Sequence, residues 1–108
     1  MDKFLVRGSG PLDGQLRIGG AKNSALKLMA ASLLAEGTTS LVNVPDITDV
    51  AIMTELLEAM GVEIRRTGQR VDINVPNEID PIAPYSLVER MRASIVVLGP
   101  LLARIGRA

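Results

Sequence analysis

The sequence contains no cysteine, no histidine and no tryptophan, and its only aromatic residues are Phe4 and Tyr85. Without cysteine or histidine, these residues offer no disulfide, no thiolate nucleophile and no histidine acid–base chemistry, and we expect no metal site. Two aromatic side chains cannot stack a row of bases, and twelve basic residues balance twelve acidic ones. A nucleic-acid partner is therefore not expected.

Long apolar runs are also missing. No stretch approaches the roughly 18 to 20 apolar residues that a membrane span needs, so no membrane contact is expected. The opening Met1-Asp2-Lys3-Phe4 does not begin a signal peptide, because no long apolar run follows its charges. A length of 108 residues, with 47% apolar and 22% charged residues, is typical of one modest globular unit. These features predict a cytoplasmic protein.

Hydrophobic periodicity predicts strands and helices in alternation, an α/β fold. Alternating apolar residues and turn residues predict strands at 4–7, 14–18, 38–44, 62–67, 70–75 and 84–89. The pair 62–67 and 70–75 flanks Gly68-Gln69 and predicts a two-residue hairpin. Apolar runs that end at glycine predict helices at 23–36, 47–60 and 93–105, and Pro100 should kink or divide the last one.

The three predicted helices differ in composition. Helices 23–36 and 93–105 are apolar nearly all round, so we expect them to be buried on most sides. Helix 47–60 carries Asp49, Glu55 and Glu58 on a polar face and should lie at the surface, with Asp46 as its N-cap. A repeat of strand, buried helix, strand, exposed helix and hairpin follows from this order.

Both apolar helices begin with a cation, Lys22 in one and Arg92 in the other. A cation in the first turn opposes the helix dipole, which favours negative charge there by about 0.3–1 kcal/mol. Two such cations indicate an anion site, in which Gly19-Gly20 lets the backbone approach closely and Asn23 adds a carboxamide. The alternatives are a solvated lysine with an Asn23 cap, and a surface pair of Arg92 with Glu89.

The two helix starts also correspond to each other along the chain. A shift of about 70 residues places Lys22 on Arg92 and Ser24 on Ser94, which predicts repeated βα units. The second unit would stop after its first helix, so we expect the chain to be the N-terminal portion of a longer protein. The spacing fits neither a P-loop nor a G-x-G-x-x-G turn, and the arginines beside the hairpin (Arg65, Arg66 and Arg70) are expected to be solvated.

Several segments together resemble the family of UDP-N-acetylglucosamine enolpyruvyl transferases. The resemblance covers essentially the whole chain and rests mainly on GAKNSAL at 20–26, LLAEG at 33–37, NVP at 43–45, MGV at 60–62, MRASI at 91–95 and LGPL at 98–101. The sister family of the shikimate pathway usually has Pro-Gly-Ser-Lys-Ser where this chain has Gly-Gly-Ala-Lys-Asn at 19–23. The first family is therefore the better match.

The resemblance implies a two-lobed, inside-out α/β barrel, in which repeated βα subunits keep their helices inside and their sheets outside. Residues 1–19 would belong to the lobe that holds the C-terminal half of the protein. Residues 20–83 would form the first βα subunit of the other lobe, and 84–108 would begin the second subunit.

The implied reaction transfers the enolpyruvyl group of phosphoenolpyruvate to the 3′-hydroxyl of UDP-N-acetylglucosamine, at the first committed step of peptidoglycan synthesis. By resemblance, Lys22 contacts phosphoenolpyruvate, Asn23 lies at the substrate site between the lobes, and Arg92 meets the anionic substrates. No metal and no cofactor is implied. The general acid, a Cys or Asp in the family, is expected beyond Ala108, so these residues alone should not turn over.

Two other functions stay open at this point. One is transfer to shikimate 3-phosphate, the reaction of the sister family. The other is a non-catalytic fragment that serves as a binding module.

Overall fold

The computed structural model describes residues 2–108, in which helices pack on one face of a three-stranded sheet. Two of its helical segments are 3-10 helices, Ser32–Leu34 and Arg92–Val97. The other elements, in chain order, are α1 (Lys22–Ala31), β1 (Gly37–Leu41), α2 (Thr48–Ala59), β2 (Glu63–Thr67), β3 (Arg70–Val75), α3 (Tyr85–Val88) and α4 (Leu98–Ile105).

The sheet is antiparallel, with β3 between β1 and β2. Thr39 of β1 and Ile64 of β2 both lie opposite Ile73, which fixes the register. Thr67 pairs with Arg70, so the turn between β2 and β3 has two residues, as predicted, and Gly68 adopts a φ of +60° in it. Glycine suits this conformation because it has no Cβ to clash.

One face of the sheet forms the floor of the core. Alternate residues of β3 are buried there, and the helices cover them. The fully buried side chains are Leu26, Met29, Leu33, Val50, Met53, Leu56, Leu57, Met60, Val71, Ile73, Val75 and Leu101. Each large apolar side chain of this kind contributes roughly 1.5–3 kcal/mol when it leaves water. The core is therefore aliphatic, as the scarcity of aromatic residues requires.

Helix α2 confirms the prediction for 47–60. Met53 and Leu57 are fully buried, whereas Glu55 and Glu58 are exposed on the opposite side. The prediction of Asp46 as the N-cap was wrong. Ile47 is the N-cap and no side chain caps the helix, so the first turn is favoured only by the acidic Asp49.

The two apolar helices are less buried than predicted. In α1 only one side is covered, and Leu28 remains 50% exposed. In the later helical segment Ile95 is 65% exposed, while Val97 is buried. The prediction of burial on most sides was therefore wrong among residues 2–108, because α1 packs mainly against α2 and the later helical run, and α4 packs mainly against the two 3-10 helices.

Helix lengths also differ from the prediction. Helix α1 ends at Ala31, where the Ser32 hydroxyl donates to the Met29 carbonyl over 2.6 Å and the chain tightens into a 3-10 turn. The last helical run is divided as predicted, from a 3-10 helix into α4 at Leu98. Pro100 lies in the first turn of α4, where its missing N–H leaves no hydrogen bond unmade.

Three predicted strands are absent from the described residues. Residues 2–21 contain neither helix nor strand, and the apolar side chains at 4–7 and 14–18 are exposed, as in Phe4 at 93%. The alternation of apolar residues at 4–7 and 14–18 is a local signal for a strand. A strand also needs a neighbouring strand for its N–H and C=O groups, and no segment of 2–108 pairs with these residues. The assignment of 1–19 to a second lobe stays a prediction.

The predicted strand at 84–89 is a short helix instead. Leu87 and Val88 both donate their N–H groups to the Pro84 carbonyl, which starts α3. A segment as short as Tyr85–Val88 fits either period, and the fixed φ of a proline suits a helix start.

Candidate functional site

Lys22 and Asn23 form the first turn of α1, as the sequence predicts. The preceding Ala21 is extended (φ −82°, ψ 142°), and no side chain caps the helix. Asn23 is exposed and does not act as the cap, so that alternative for Asn23 was wrong. The first N–H groups of α1 have no side-chain partner. The start of α2 also lacks a side-chain cap, so this feature does not distinguish α1.

Lys22 has an ion-pair partner that the sequence pattern did not reveal. Its Nζ lies 3.4 Å from Oδ2 of Asp49 in the first turn of α2, and the two side chains are 53% and 31% exposed. A pair this exposed contributes about 0–1 kcal/mol. Asp49 nevertheless offsets the unfavourable position of Lys22, because its carboxylate lies beside the positive end of α1.

A groove runs beside the start of α1. Its volume is about 340 Å³, and it is lined by Gly20, Ala21, Ser24, Ala25, Leu28 and residues 40–44. This volume lies at the small end of the range for small-molecule sites. Lys22 and Asn23 stand next to the groove in sequence but are not among its lining residues.

The far wall of the groove is the loop that follows β1. Asn43 adopts a φ of 57° there, and its Nδ2 donates to the Ile18 carbonyl over 3.3 Å. A Cβ at Gly20 would overlap the Asn43 carbonyl oxygen. The backbone at 18–20 and the loop at 43 are thus in direct contact at Gly20. The close approach of the Gly19-Gly20 backbone to an anion stays a prediction.

Arg66 holds this loop from the hairpin. Its guanidinium donates to the carbonyls of Val44 (2.9 Å), Pro45 (3.5 Å) and Gly68 (2.9 Å). Arg66 is exposed, as predicted, but it also binds the loop, which the prediction did not include. The alternation along β2 separates the two arginines, because it places Arg66 on the same face as Ile64 and Arg65 on the outer face, although it does not show that Arg66 meets the loop.

Arg70 also has a partner, on the outer face of the sheet. Its Nε donates to Oδ1 of Asp72 over 3.0 Å, and the Ser40 hydroxyl donates to the same oxygen over 2.6 Å. The hydrogen bond from Ser40, and then that from Arg70, holds the pKa of Asp72 below its ordinary value. The prediction of a solvated Arg70 was wrong to this extent, while Arg65 is exposed as expected.

Arg92 begins a 3-10 helix and is exposed. Within residues 2–108 it makes no hydrogen bond or ion pair, so the alternative pairing with Glu89 is not formed. Its neighbour Arg90 pairs instead with Glu55 of α2, at 3.2 Å. The 3-10 helix that begins at Arg92 packs against α1. The ion-pair partner of Lys22 is nevertheless Asp49 of α2, which lies outside that 3-10 helix.

The proposed equivalence of the two helix starts is only partial. Ser24 is exposed, whereas Ser94 is buried and its hydroxyl donates to the Met91 carbonyl over 2.7 Å. The first run changes from α-helix to 3-10 helix, and the second changes in the opposite direction. Equivalent roles for Lys22 and Arg92 stay a prediction.

Two other features are missing from the described part of the chain. No group of three or more acidic side chains there is placed to hold a metal ion. Within the same residues no helix combines the length and apolar character needed to cross a membrane.

The sequence was compared with known proteins. A family profile described as EPSP synthase (3-phosphoshikimate 1-carboxyvinyltransferase) matches residues 6–108. The UDP-N-acetylglucosamine 1-carboxyvinyltransferase of Cellvibrio japonicus is 55% identical over 100% of this chain and 26% of its own length. The protein of the same name from Corynebacterium efficiens is 53% identical over 99% of this chain and 25% of its own length. The chain thus spans about a quarter of the length of these curated relatives.

A solved structure shares the fold. The enolpyruvyl transferase NikO from Streptomyces tendae matches 92% of this chain and 23% of its own length, with a TM-score of 0.76 and 28% sequence identity. The α/β arrangement described above is therefore that of an enolpyruvyl transferase segment, as predicted.

Proposed function

We infer the function from one premise: the chain belongs to the EPSP synthase (3-phosphoshikimate 1-carboxyvinyltransferase) family. We propose that the protein carrying it transfers the enolpyruvyl group of phosphoenolpyruvate to the 3′-hydroxyl of UDP-N-acetylglucosamine and releases phosphate. Identity of 55% over the whole chain to a protein named for that acceptor carries this choice. The proposal places the protein in the bacterial cytoplasm, at the first committed step of peptidoglycan synthesis.

In this proposal Lys22 binds phosphoenolpyruvate and Asn23 contributes its amide at the same place. The support is chemical: the reaction carries carboxylate and phosphate charge, which a fixed cation stabilises. The pair of Lys22 with Asp49 is a weak surface pair, so an incoming phosphate competes with a single carboxylate. The ammonium can therefore turn to a ligand at little cost.

Arg92 has the second proposed role, at the anionic substrates. Its guanidinium is exposed and has no protein partner among residues 2–108, so all of its donors are open to a ligand. Planar, paired N–H groups suit phosphate and carboxylate oxygens. We propose that it faces the same ligands as Lys22 once the site is complete.

The bond changes need further groups. A new bond joins C2 of the enolpyruvyl group to the acceptor oxygen, and the bond from C2 to the phosphate oxygen breaks. The acceptor hydroxyl loses a proton, and an acid and a base must carry protons during the exchange. The proposal assigns these groups to residues beyond this chain, as the resemblance implies. The expectation that residues 1–108 alone are inactive stays a prediction.

Substitution of Lys22 tests the proposed role in a protein of the relatives' length. Phosphate release from phosphoenolpyruvate with UDP-N-acetylglucosamine should fall about 100-fold or more in kcat/KM for Lys22→Ala, the size expected when a charge-stabilising group is removed. Lys27→Ala is the matched control, because Lys27 is also exposed on α1 and has no ion-pair partner among residues 2–108. Equal activity of the two variants would contradict the role of Lys22.

Shikimate 3-phosphate is the second candidate acceptor, since the matching family profile is described by that reaction. The unmodified protein can be heated with each acceptor in turn, because a ligand that binds only the folded state raises the melting temperature. Protection by UDP-N-acetylglucosamine alone supports the main proposal, and protection by shikimate 3-phosphate alone supports the second. Protection without any phosphate release would indicate a binding module.

A further inference from the structure

We propose that Asn43 is a positioning residue for the site at Lys22 and Asn23. It acts through the backbone at 18–20 and does not touch the substrates itself. This inference rests on the function proposed above, and it assigns a role to a residue in the loop between β1 and α2.

The backbone of Asn43 is unusual. Its φ of 57° lies in the left-handed region, and no other residue except glycine adopts a positive φ among residues 2–108. Asparagine tolerates this conformation better than most residues, because its short polar side chain can bond locally. Here the side chain instead donates to a distant carbonyl, that of Ile18.

Asn43 contacts the segment that leads into α1 at two points. Its Nδ2 binds the Ile18 carbonyl at 3.3 Å, and its own carbonyl oxygen packs against Gly20 so closely that a Cβ there would overlap it. The two contacts lie on either side of Gly19. Residues 2–17, in contrast, are exposed and contain no helix or strand. The order of the chain just before Lys22 therefore depends on Asn43.

The loop itself is anchored to the sheet. The Val44 N–H donates to the Gln69 carbonyl over 2.9 Å, and Arg66 donates to the carbonyls of Val44 and Pro45. These hydrogen bonds fix the loop that carries Asn43 to the hairpin of β2 and β3. A displacement of residues 18–20 from the loop would move the start of α1 relative to the sheet.

The same loop also leads to the side-chain partner of Lys22. It ends at α2, whose first turn carries Asp49, 3.4 Å from Lys22 Nζ. The connection between β1 and α2 therefore contacts the Lys22 segment twice, through the backbone at Asn43 and through a weak side-chain pair at Asp49. This convergence makes Asn43 a determinant of where the ammonium lies.

Two variants separate the contributions of Asn43. Asn43→Gly keeps the positive φ but removes the amide, and Asn43→Asp replaces the donor with an oxygen that faces the Ile18 carbonyl. Asn77→Asp is the matched control, because it makes the same chemical change at an exposed side chain that has no hydrogen bond among residues 2–108. All are compared in a protein of the relatives' length.

Two readouts are needed. Amide hydrogen exchange of Ala25, whose N–H donates to the Ala21 carbonyl at the start of α1, should become about three- to tenfold faster in both Asn43 variants, the factor expected for one lost hydrogen bond. The KM for phosphoenolpyruvate should rise by a similar factor, while kcat changes less, because the ammonium that binds this substrate is displaced. A merely structural role would lower the active fraction and hence the apparent kcat, with KM unchanged.

Each outcome decides the inference. Faster exchange with a raised KM in both Asn43 variants, and neither change in Asn77→Asp, supports it. Unchanged exchange, or faster exchange with an unchanged KM, overturns the positioning role and leaves the proposed function standing. Absence of transfer by the unmodified protein with UDP-N-acetylglucosamine overturns the proposed function and, with it, this inference. Melting curves identify any variant that fails to fold. If Asn43→Asp fails to fold, the result for Asn43→Gly, which keeps the backbone conformation, decides the inference alone.

Discussion

Gly20→Ala is the substitution that tests the contact between the start of α1 and the loop most directly. The new Cβ would overlap the Asn43 carbonyl oxygen and come within 3.2 Å of Pro45 Cδ. Gly19→Ala is a control one residue away, because a Cβ at Gly19 meets nothing within 4 Å. Neither glycine has a positive φ, so the difference between the two variants measures steric contact alone.

The size of the effect follows from how the overlap can be relieved. Overpacking in a rigid core costs about 1–3 kcal/mol. Here the chain before Gly20 is exposed and belongs to no helix or strand, so it can move away from the loop. That movement gives up the hydrogen bond from Asn43 to Ile18, which contributes about 0.5–1.5 kcal/mol. The cheaper route sets the cost, and we expect the free energy of unfolding of Gly20→Ala to be about 1 kcal/mol lower than that of Gly19→Ala.

Urea denaturation of the two variants and the unmodified protein measures this difference. Gly19→Ala should be neutral or stabilising by up to about 1 kcal/mol, because alanine restricts the unfolded chain. Equal midpoints for the two variants would refute the close contact at Gly20. A loss of about 3 kcal/mol or more would refute the release of the preceding segment and show that the core bears the overlap.

Two further predictions concern the core and the outer face of the sheet. Met53→Ala should lower the free energy of unfolding by about 2–5 kcal/mol in calorimetry, because the side chain is fully buried. Met53→Leu should lower it by less than about 1.5 kcal/mol. Similar losses for the two variants would argue against tight packing around Met53. Asp72→Asn should lower the melting temperature at neutral pH. The difference in melting temperature from the unmodified protein should close as the pH falls below about 4, because a carboxylate whose pKa is lowered on folding stabilises the fold only while it is ionised. A gap that is constant with pH would contradict the role of the bonds from Ser40 and Arg70.

The parts of the fold that follow from the sequence are those set by local pattern. Alternation at 62–67 and 70–75 with Gly68 between them is enough to predict the hairpin, and the polar face of 47–60 is enough to predict α2. The strands predicted at 4–7 and 14–18 failed because strand formation depends on a partner, which no local pattern supplies.

The candidate site was predictable only in its sequence-local part. The order Gly-Gly-Ala-Lys-Asn was enough to place Lys22 and Asn23 at a helix start. The contacts of Asp49, Asn43 and Arg66 join segments that are distant in sequence, so no spacing rule finds them. Asn43 had one usable signal: asparagine tolerates the left-handed conformation that turns often require.

The ion pair at the site does not make the site neutral. Lys22 and Asp49 cancel as formal charges, but the pair joins side chains from the first turns of two helices, α1 and α2. Each helix end carries roughly half a positive charge in its unpaired N–H groups, and neither is capped by a side chain. A positive potential therefore remains after the pair has formed. The weak pair can open for a ligand at little cost, and the unpaired N–H groups at the two helix starts favour a phosphate or a carboxylate there.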